Sequence, residues 1–162
     1  MEVSNSKYLT FLLNEEDYGI PIQDVKEIIR MMDITGIPKT PKFLKGVINL
    51  RGKIIPVIDL RIKFGLEERE YTQRTCIIVV EVLMQGVKKI MGVIVDTVSE
   101  VIGINKEEID RTSDEDSYFE EEFIEGLAKV KGKVVILLEV EKILNNQELF
   151  LLNNETGGTT NV

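Results

Sequence analysis

From Tyr8 to Leu13 apolar and polar positions alternate, with Leu9, Phe11 and Leu13 on one side. This period-two pattern predicts a half-buried strand. Asn14, Glu15, Glu16 and Asp17 interrupt it as a polar turn, and Tyr18–Ile22 returns as a second strand. Further on, Val47–Leu50 and Lys53–Ile58 flank Arg51-Gly52. That is a hairpin signal, because glycine supplies a positive φ without steric cost. Ile54–Ile58 is apolar at every position, which predicts burial on both faces. The second half reads alike: Thr75–Leu83 turns through Gln85-Gly86 into Lys89–Val95, and Val130 and Val134–Leu138 flank Lys131-Gly132.

The likeness of the halves is an internal repeat. Phe43–Leu60 (FLKGVINLRGKIIPVIDL) aligns at an offset of 80 with Phe123–Val140 (FIEGLAKVKGKVVILLEV). The phenylalanines, both glycines and the following lysine coincide; Arg51 meets Lys131 and Asp59 meets Glu139. Upstream the offset becomes 73, where Gly19, Val25, Glu27 and Ile29 match Gly92, Val98, Glu100 and Ile102. About five short strands per copy leave exposed edges unless each copy closes on itself. The expected fold is mainly β: two five-stranded barrel subdomains, at about 7–66 and 73–150, sharing an apolar layer within one domain spanning 7–150. Pro21, Pro38, Pro41 and Pro56 fall at strand ends or in loops, as closure requires.

Helices are minor. Asp59–Phe64 predicts one turn, capped by Asp59 and stopped by Gly65. Glu139–Leu151 predicts a short C-terminal α-helix with Val140, Ile143, Leu144 and Leu151 on one side. Residues 1–6 and 153–162 are expected to be flexible tails.

Composition narrows the function. Apolar residues make up 43% of the 162, enough for a core, but no run is long enough to span a bilayer as a helix. One cysteine, Cys76, cannot form an internal disulfide, which fits a reducing cytoplasm; it reads as a small core residue. The net charge of −8 opposes binding to nucleic acid or to anionic membrane. The charge is uneven, however. Residues 37–63 hold seven bases and one acid, and residues 107–125 hold ten acids and one base, which suggests two faces for different partners.

There is no histidine, so the commonest acid–base group and metal ligand is missing. Asp114-Glu115-Asp116 lacks the glycine and trailing glutamate of a calcium loop, and no glycine-rich phosphate loop occurs. Neither cofactor nor metal is expected. A small barrel enzyme using paired carboxylates stands as the alternative, and it requires a pocket with an acid of raised pKa. Otherwise the chemistry lies on a surface, where Arg51 at a hairpin tip offers a planar donor fork.

The run Val25-Lys26-Glu27-Ile28-Ile29, then Pro38-x-x-Pro41-x-Phe43-Leu44-Lys45-Gly46-Val47-x-Asn49-Leu50-Arg51-Gly52-x-Ile54-x-Pro56-Val57-x-Asp59-Leu60-Arg61, resembles the signature of the CheW family of chemotaxis coupling proteins. The resemblance runs from about Tyr8 to Leu151. It implies two SH3-like barrels and a non-enzymatic adaptor between the cytoplasmic tip of chemoreceptors and the regulatory domain of the histidine kinase CheA. It further implies a receptor groove between the barrels, with Val25, Glu27, Gly46 and Arg51 in it and Asn49, Leu50 and Gly52 completing its motif. The kinase contact is expected on the second barrel, where the repeat suggests Val98, Val101 and Ile104. A cytoplasmic protein recruited to membrane receptor arrays through its partners follows, with no insertion into the membrane. A stand-alone module like the kinase's regulatory domain would share the fold; the chain opens at Met1 without kinase motifs, which favours the coupler.

Overall fold

The computed structural model describes residues 5–84, 86–111, 122–145 and 148. Strands β1 (Asn5–Leu13), β2 (Glu16–Pro21), β3 (Val25–Arg30), β4 (Leu44–Leu50) and β5 (Lys53–Asp59) lead into a one-turn helix α1 (Leu60–Lys63). Then come β6 (Cys76–Met84), β7 (Val87–Val95), β8 (Thr97–Asn105), the two-residue β9 (Ile109–Asp110), β10 (Ile124–Val130) and β11 (Lys133–Leu138). They form a six-stranded sheet in the order β8-β1-β2-β11-β10-β9 and a five-stranded sheet in the order β3-β6-β7-β5-β4.

Each sheet curls. In the five-stranded sheet, Ile29 from one end strand and Ile48 and Leu50 from the other reach the same cluster, with Val57, Ile77, Val79 and Ile94 at its centre. In the six-stranded sheet, Ile102 and Ile104 of β8 meet Ile109 of β9 around Leu137 and Val135. A third and larger cluster lies between the sheets and includes Leu9, Phe11, Leu13, Ile20, Ile58, Leu60, Ile78, Val80, Val93 and Leu138. The alternation read from Tyr8–Leu13 thus points its apolar face into this shared layer. Aromatic rings thread it: Phe64 stacks on Phe123 at 4.7 Å and tilts against Tyr18 at 5.8 Å.

The division near residues 66–73 marks the repeat but not the sheets. Hairpin β1–β2 pairs with β8 and with β11, while hairpin β6–β7 pairs with β3 and with β5. Each half lends its first hairpin to the other. The exchange is symmetric: β11 runs parallel to β2 with Leu137 opposite Gly19, and β5 runs parallel to β7 with Val57 opposite Gly92. Those pairs are related by the two sequence offsets. Alternation sets which face a strand buries, not which strand it joins.

Other expectations meet corrections. Asn5 and Ser6 are no tail; they pair with Asn105 and Ile104. Residues 1–4 and 153–162 lie outside the described residues. In β5, Ile55–Ile58 is buried but Ile54 is 56% exposed, because it follows the hairpin tip, beyond the core. The C-terminal segment opens as a 3-10 turn at Val140–Lys142 rather than an α-helix; Glu148 further on is helical, and residues 146–147 and 149–151 lie outside the described residues. Val140, Ile143 and Leu144 are buried as the pattern required, since a tight turn satisfies their spacing too; Leu151 lies outside the described residues. Helix α1 forms as read: Asp59 Oδ1 accepts from the Arg61 amide at 2.9 Å, and Gly65 is left-handed at φ +73°. Among the described residues, no helix is long and apolar enough to cross a membrane.

Candidate protein-docking site

The β4–β5 hairpin ends in a two-residue loop. Arg51 (φ +50°) and Gly52 (φ +89°) are both left-handed, the turn geometry that matches strand twist. The Gly52 amide donates to Asn49 Oδ1 at 2.9 Å. Asn49 and Gly52 therefore build the turn, and Arg51 is what it presents, with its side chain 67% exposed. The guanidinium donates to the Glu27 carboxylate.

Glu27 belongs to β3, at the far end of the same sheet, so the pair spans the sheet's open seam. A bulge aims it there. Val25 faces Val80 and Glu27 faces Val79, leaving Lys26 as the extra residue. An exposed pair of this kind contributes about 1 kcal/mol or less, so it does not hold the fold. One nitrogen of Arg51 serves Glu27, which leaves the rest of the donor fork for a partner.

The remaining expected site residues have different duties. Gly46 is buried at φ +145°; a Cβ there would lie 2.0 Å from the Thr35 carbonyl oxygen. Its bare backbone lets Thr35 bond Val47 in both directions, each at 2.9 Å. This pins the β3–β4 connection to β4 below the tip. Val25 is half-buried against the shared core, and Leu50 packs on the small cluster of its own sheet. Ile28, 45% exposed, and Ile54 flank the ion pair in the chain. Neither was singled out from sequence, although both lie within the quoted motif.

The other sheet carries a counterpart. Lys131 (φ +54°) and Gly132 (φ +80°) form the tip of β10–β11. Lys131 Nζ lies 3.3 Å and 3.4 Å from the Glu100 carboxylate oxygens. Glu100 also sits at a bulge, between the pairs Leu9–Val101 and Phe11–Val98. Thr10 fills that gap: its hydroxyl donates to the Glu100 carbonyl at 3.0 Å and accepts from the Glu100 amide at 3.2 Å. The sequence aligned Arg51 with Lys131 and Glu27 with Glu100 separately; the fold brings each acid to its base.

Of the residues suggested for a kinase contact, Val101 is 50% exposed and Val98 packs half-buried against the shared core. Ile104 is 1% exposed inside the six-stranded sheet. Residues three apart on a strand face opposite sides, so Ile104 cannot share a surface with Val101. Ile104 is withdrawn from the site.

Carboxylates gather elsewhere, around an open cleft of about 590 Å³ that holds Tyr8, Asp24, Arg111, Glu125, Glu139 and Glu141. Glu125 accepts from Tyr8 Oη at 3.1 Å and pairs with Arg111 at 3.2 Å. Burial, with Glu141 adding, pushes the Asp24 carboxyl up to about 6. The raised acid that an enzyme would need is therefore present. Among the described residues, no three or more Cys, Asp or Glu are placed to hold a metal.

Comparison with known proteins decides between the readings. A family model described as a CheW-like domain matches residues 7–148. The chemotaxis protein CheW of Klebsiella aerogenes is 36% identical over 153 residues, covering 94% of this chain and 90% of its own. That of Thermotoga maritima is 32% identical over 137 residues, 84% of this chain and 85% of its own. The crystal structure of the scaffolding protein TtCheW from Thermoanaerobacter tengcongensis superposes with a TM-score of 0.76 at 40% identity, covering 88% of this chain and 94% of that one. By fold, by motif and by these likenesses the chain belongs to the CheW-like domain family, as a chemotaxis scaffolding protein and not an enzyme.

Proposed function

We propose that the protein couples the cytoplasmic tip of chemoreceptors to the regulatory domain of the histidine kinase CheA, working in the cytoplasm at receptor arrays. The observation that carries this reading is the exposed Arg51–Glu27 pair at the hairpin tip, with Ile28 and Ile54 left exposed on the strands that carry it. A receptor helix lays an apolar stripe against Val25, Leu50 and the flanking isoleucines, and the free donors of Arg51 fix its register. The kinase occupies the other sheet around Val101, with Val98 behind it. Two modest affinities on separate faces then give a firm assembly through effective concentration.

The test is binding of a receptor-tip fragment to Arg51→Glu and to the swap Arg51→Glu/Glu27→Arg. Reversing one charge costs at least about tenfold in affinity, in the range of a desolvated interface charge. The swap restores the internal pair but leaves the partner facing a displaced fork, so affinity stays low. Kinase-fragment binding and the unfolding midpoint stay unchanged. Wild-type receptor affinity in Arg51→Glu would remove Arg51 from the site.

A further inference from the structure

Among the described strands, the chain passes between the two sheets at two corners only. It goes from β2 to β3 through a 3-10 turn at Ile22–Asp24, and from β7 to β8 through Asp96. The sequence offset of 73 aligns these corners, setting Gln23-Asp24 against Asp96-Thr97. The offset of 80 aligns α1 with the 3-10 turn at Val140–Lys142, setting Arg61 against Glu141. The two supports are anchored alike. The Asp59 amide donates to the Phe43 carbonyl at 2.9 Å, and the Glu139 amide to the Phe123 carbonyl at 2.8 Å.

The matched places carry opposite chemistry. At the β7–β8 corner, Nε of the buried Arg61 lies 2.9 Å from Asp96 Oδ1. Asp96 Oδ2 accepts from the Asn14 amide at 2.8 Å, and the Asp96 amide donates to the Leu12 carbonyl at 3.0 Å. That corner is bound to groups from both sheets. At the β2–β3 corner, Asp24 and Glu141 stand together between two open clefts, of about 590 Å³ and about 310 Å³. The other acids around them are taken: Glu125 by Arg111 and Tyr8, Glu139 by Lys142, Glu81 by Lys26. Lys7, Lys88 and Lys106 stand exposed at the cleft rims, and among the described residues no base pairs with Asp24 or Glu141. Burial, with Glu141 adding, pushes the Asp24 carboxyl up to about 6. Both causes fall away when the corner opens, so proton uptake favours the closed corner.

We infer that the Ile22–Asp24 corner is a proton-gated joint, for which the Arg61-bound corner is the fixed counterpart. With Asp24 ionised, repulsion from Glu141 loosens the turn locally; a proton on the pair lets it close against Val140–Lys142. Strand β3 begins at the next residue, so the joint sets how firmly Val25 and Glu27 are held. The joint needs no partner, while its effect on receptor affinity rests on the coupling reading above.

The test is hydrogen exchange of the whole chain read by mass spectrometry, with protection taken relative to the chemical rate at each pH. Wild-type protection across residues 22–28 is expected to be at least about threefold higher near pH 5.5 than near pH 7.5, while residues 95–98 do not respond. Asp24→Asn should be protected at both pH values. Glu141→Arg gives the C-terminal turn the charge of Arg61 and should be protected near pH 7.5 as wild type is near pH 5.5; Glu141 is exposed, so the fold is retained. A receptor-tip fragment near pH 7.5 is expected to bind Asp24→Asn at least about twofold more tightly than wild type. Equal wild-type protection at both pH values, an equal response at both corners, or a pH response that survives both substitutions would overturn the joint. Exchange that responds while Asp24→Asn binds the receptor fragment like wild type would overturn its link to the receptor face alone. A wild-type protein that binds no receptor fragment would refute the coupling reading and leave the joint to the exchange result.

Discussion

Gly46→Ala should be among the costliest single-methyl changes in this protein, and the geometry sets the size. The new Cβ would stand 2.0 Å from the Thr35 oxygen, 2.6 Å from its carbonyl carbon and 3.0 Å from Gly36 Cα. All three are backbone, so no rotamer change relieves the clash. Either the 35–36 segment moves away, losing its two bonds to Val47, or the β4 backbone leaves φ +145°. Two backbone hydrogen bonds amount to about 1 kcal/mol each. A side chain forced into that backbone region adds about 1–3 kcal/mol. The expected loss is therefore about 3–5 kcal/mol. Gly132→Ala is the control: φ is +80° and nothing lies within 4 Å of its would-be Cβ, so only the left-handed cost of about 1–2 kcal/mol applies. Urea unfolding followed by circular dichroism gives both values from midpoints at constant slope. If Gly46→Ala falls within about 1 kcal/mol of Gly132→Ala, the close approach of Thr35 does not constrain the chain and the account of Gly46 fails.

Two other outcomes are expected. Because folding raises the Asp24 pKa from 3.8 to about 6, the folded state holds this proton more tightly, so the contribution is complete below about 4 and lost as pH rises through 6. Asp24→Asn should flatten the fall in stability between pH 4 and 6 and exceed wild type at pH 7.5 by up to about 1 kcal/mol after allowance for solvent screening; parallel stability curves for the two proteins would refute this. Separately, fragments 1–66 and 73–162 should each lack cooperative unfolding yet recover it when mixed, because each sheet takes a hairpin from the other half; a fragment that unfolds cooperatively alone would contradict the exchange.

Much of this was legible in the chain. The alternation of Leu9, Phe11 and Leu13 located a strand and the face it turns to the shared layer, though not the burial of Tyr8 and Thr10 on its other face; Arg51-Gly52 and Lys131-Gly132 located two hairpin tips, because these depend on local backbone preference. The repeat supplied a likeness between halves but not the exchange of hairpins, since pairing is decided by long-range burial. Glu27 carried no local mark; what brings it to Arg51 is the bulge at Lys26, which no residue in that run announces. The suggestion of Ile104 failed on strand parity, which the sequence did contain. The start of the C-terminal helix was misplaced, because Val140, Ile143 and Leu144 fit a 3-10 turn as well as an α-helix.

The borrowed hairpins also bear on how the chain is made. Asp17 on β2 takes its place opposite Val135 on β11, 118 residues later in synthesis. At about 5–20 residues per second on the ribosome, β2 waits on the order of ten seconds for that neighbour. During that interval Leu9, Phe11 and Ile20 have no lid. The six-stranded sheet is thus closed only at the end of synthesis, by the last strand of the chain's described sheets.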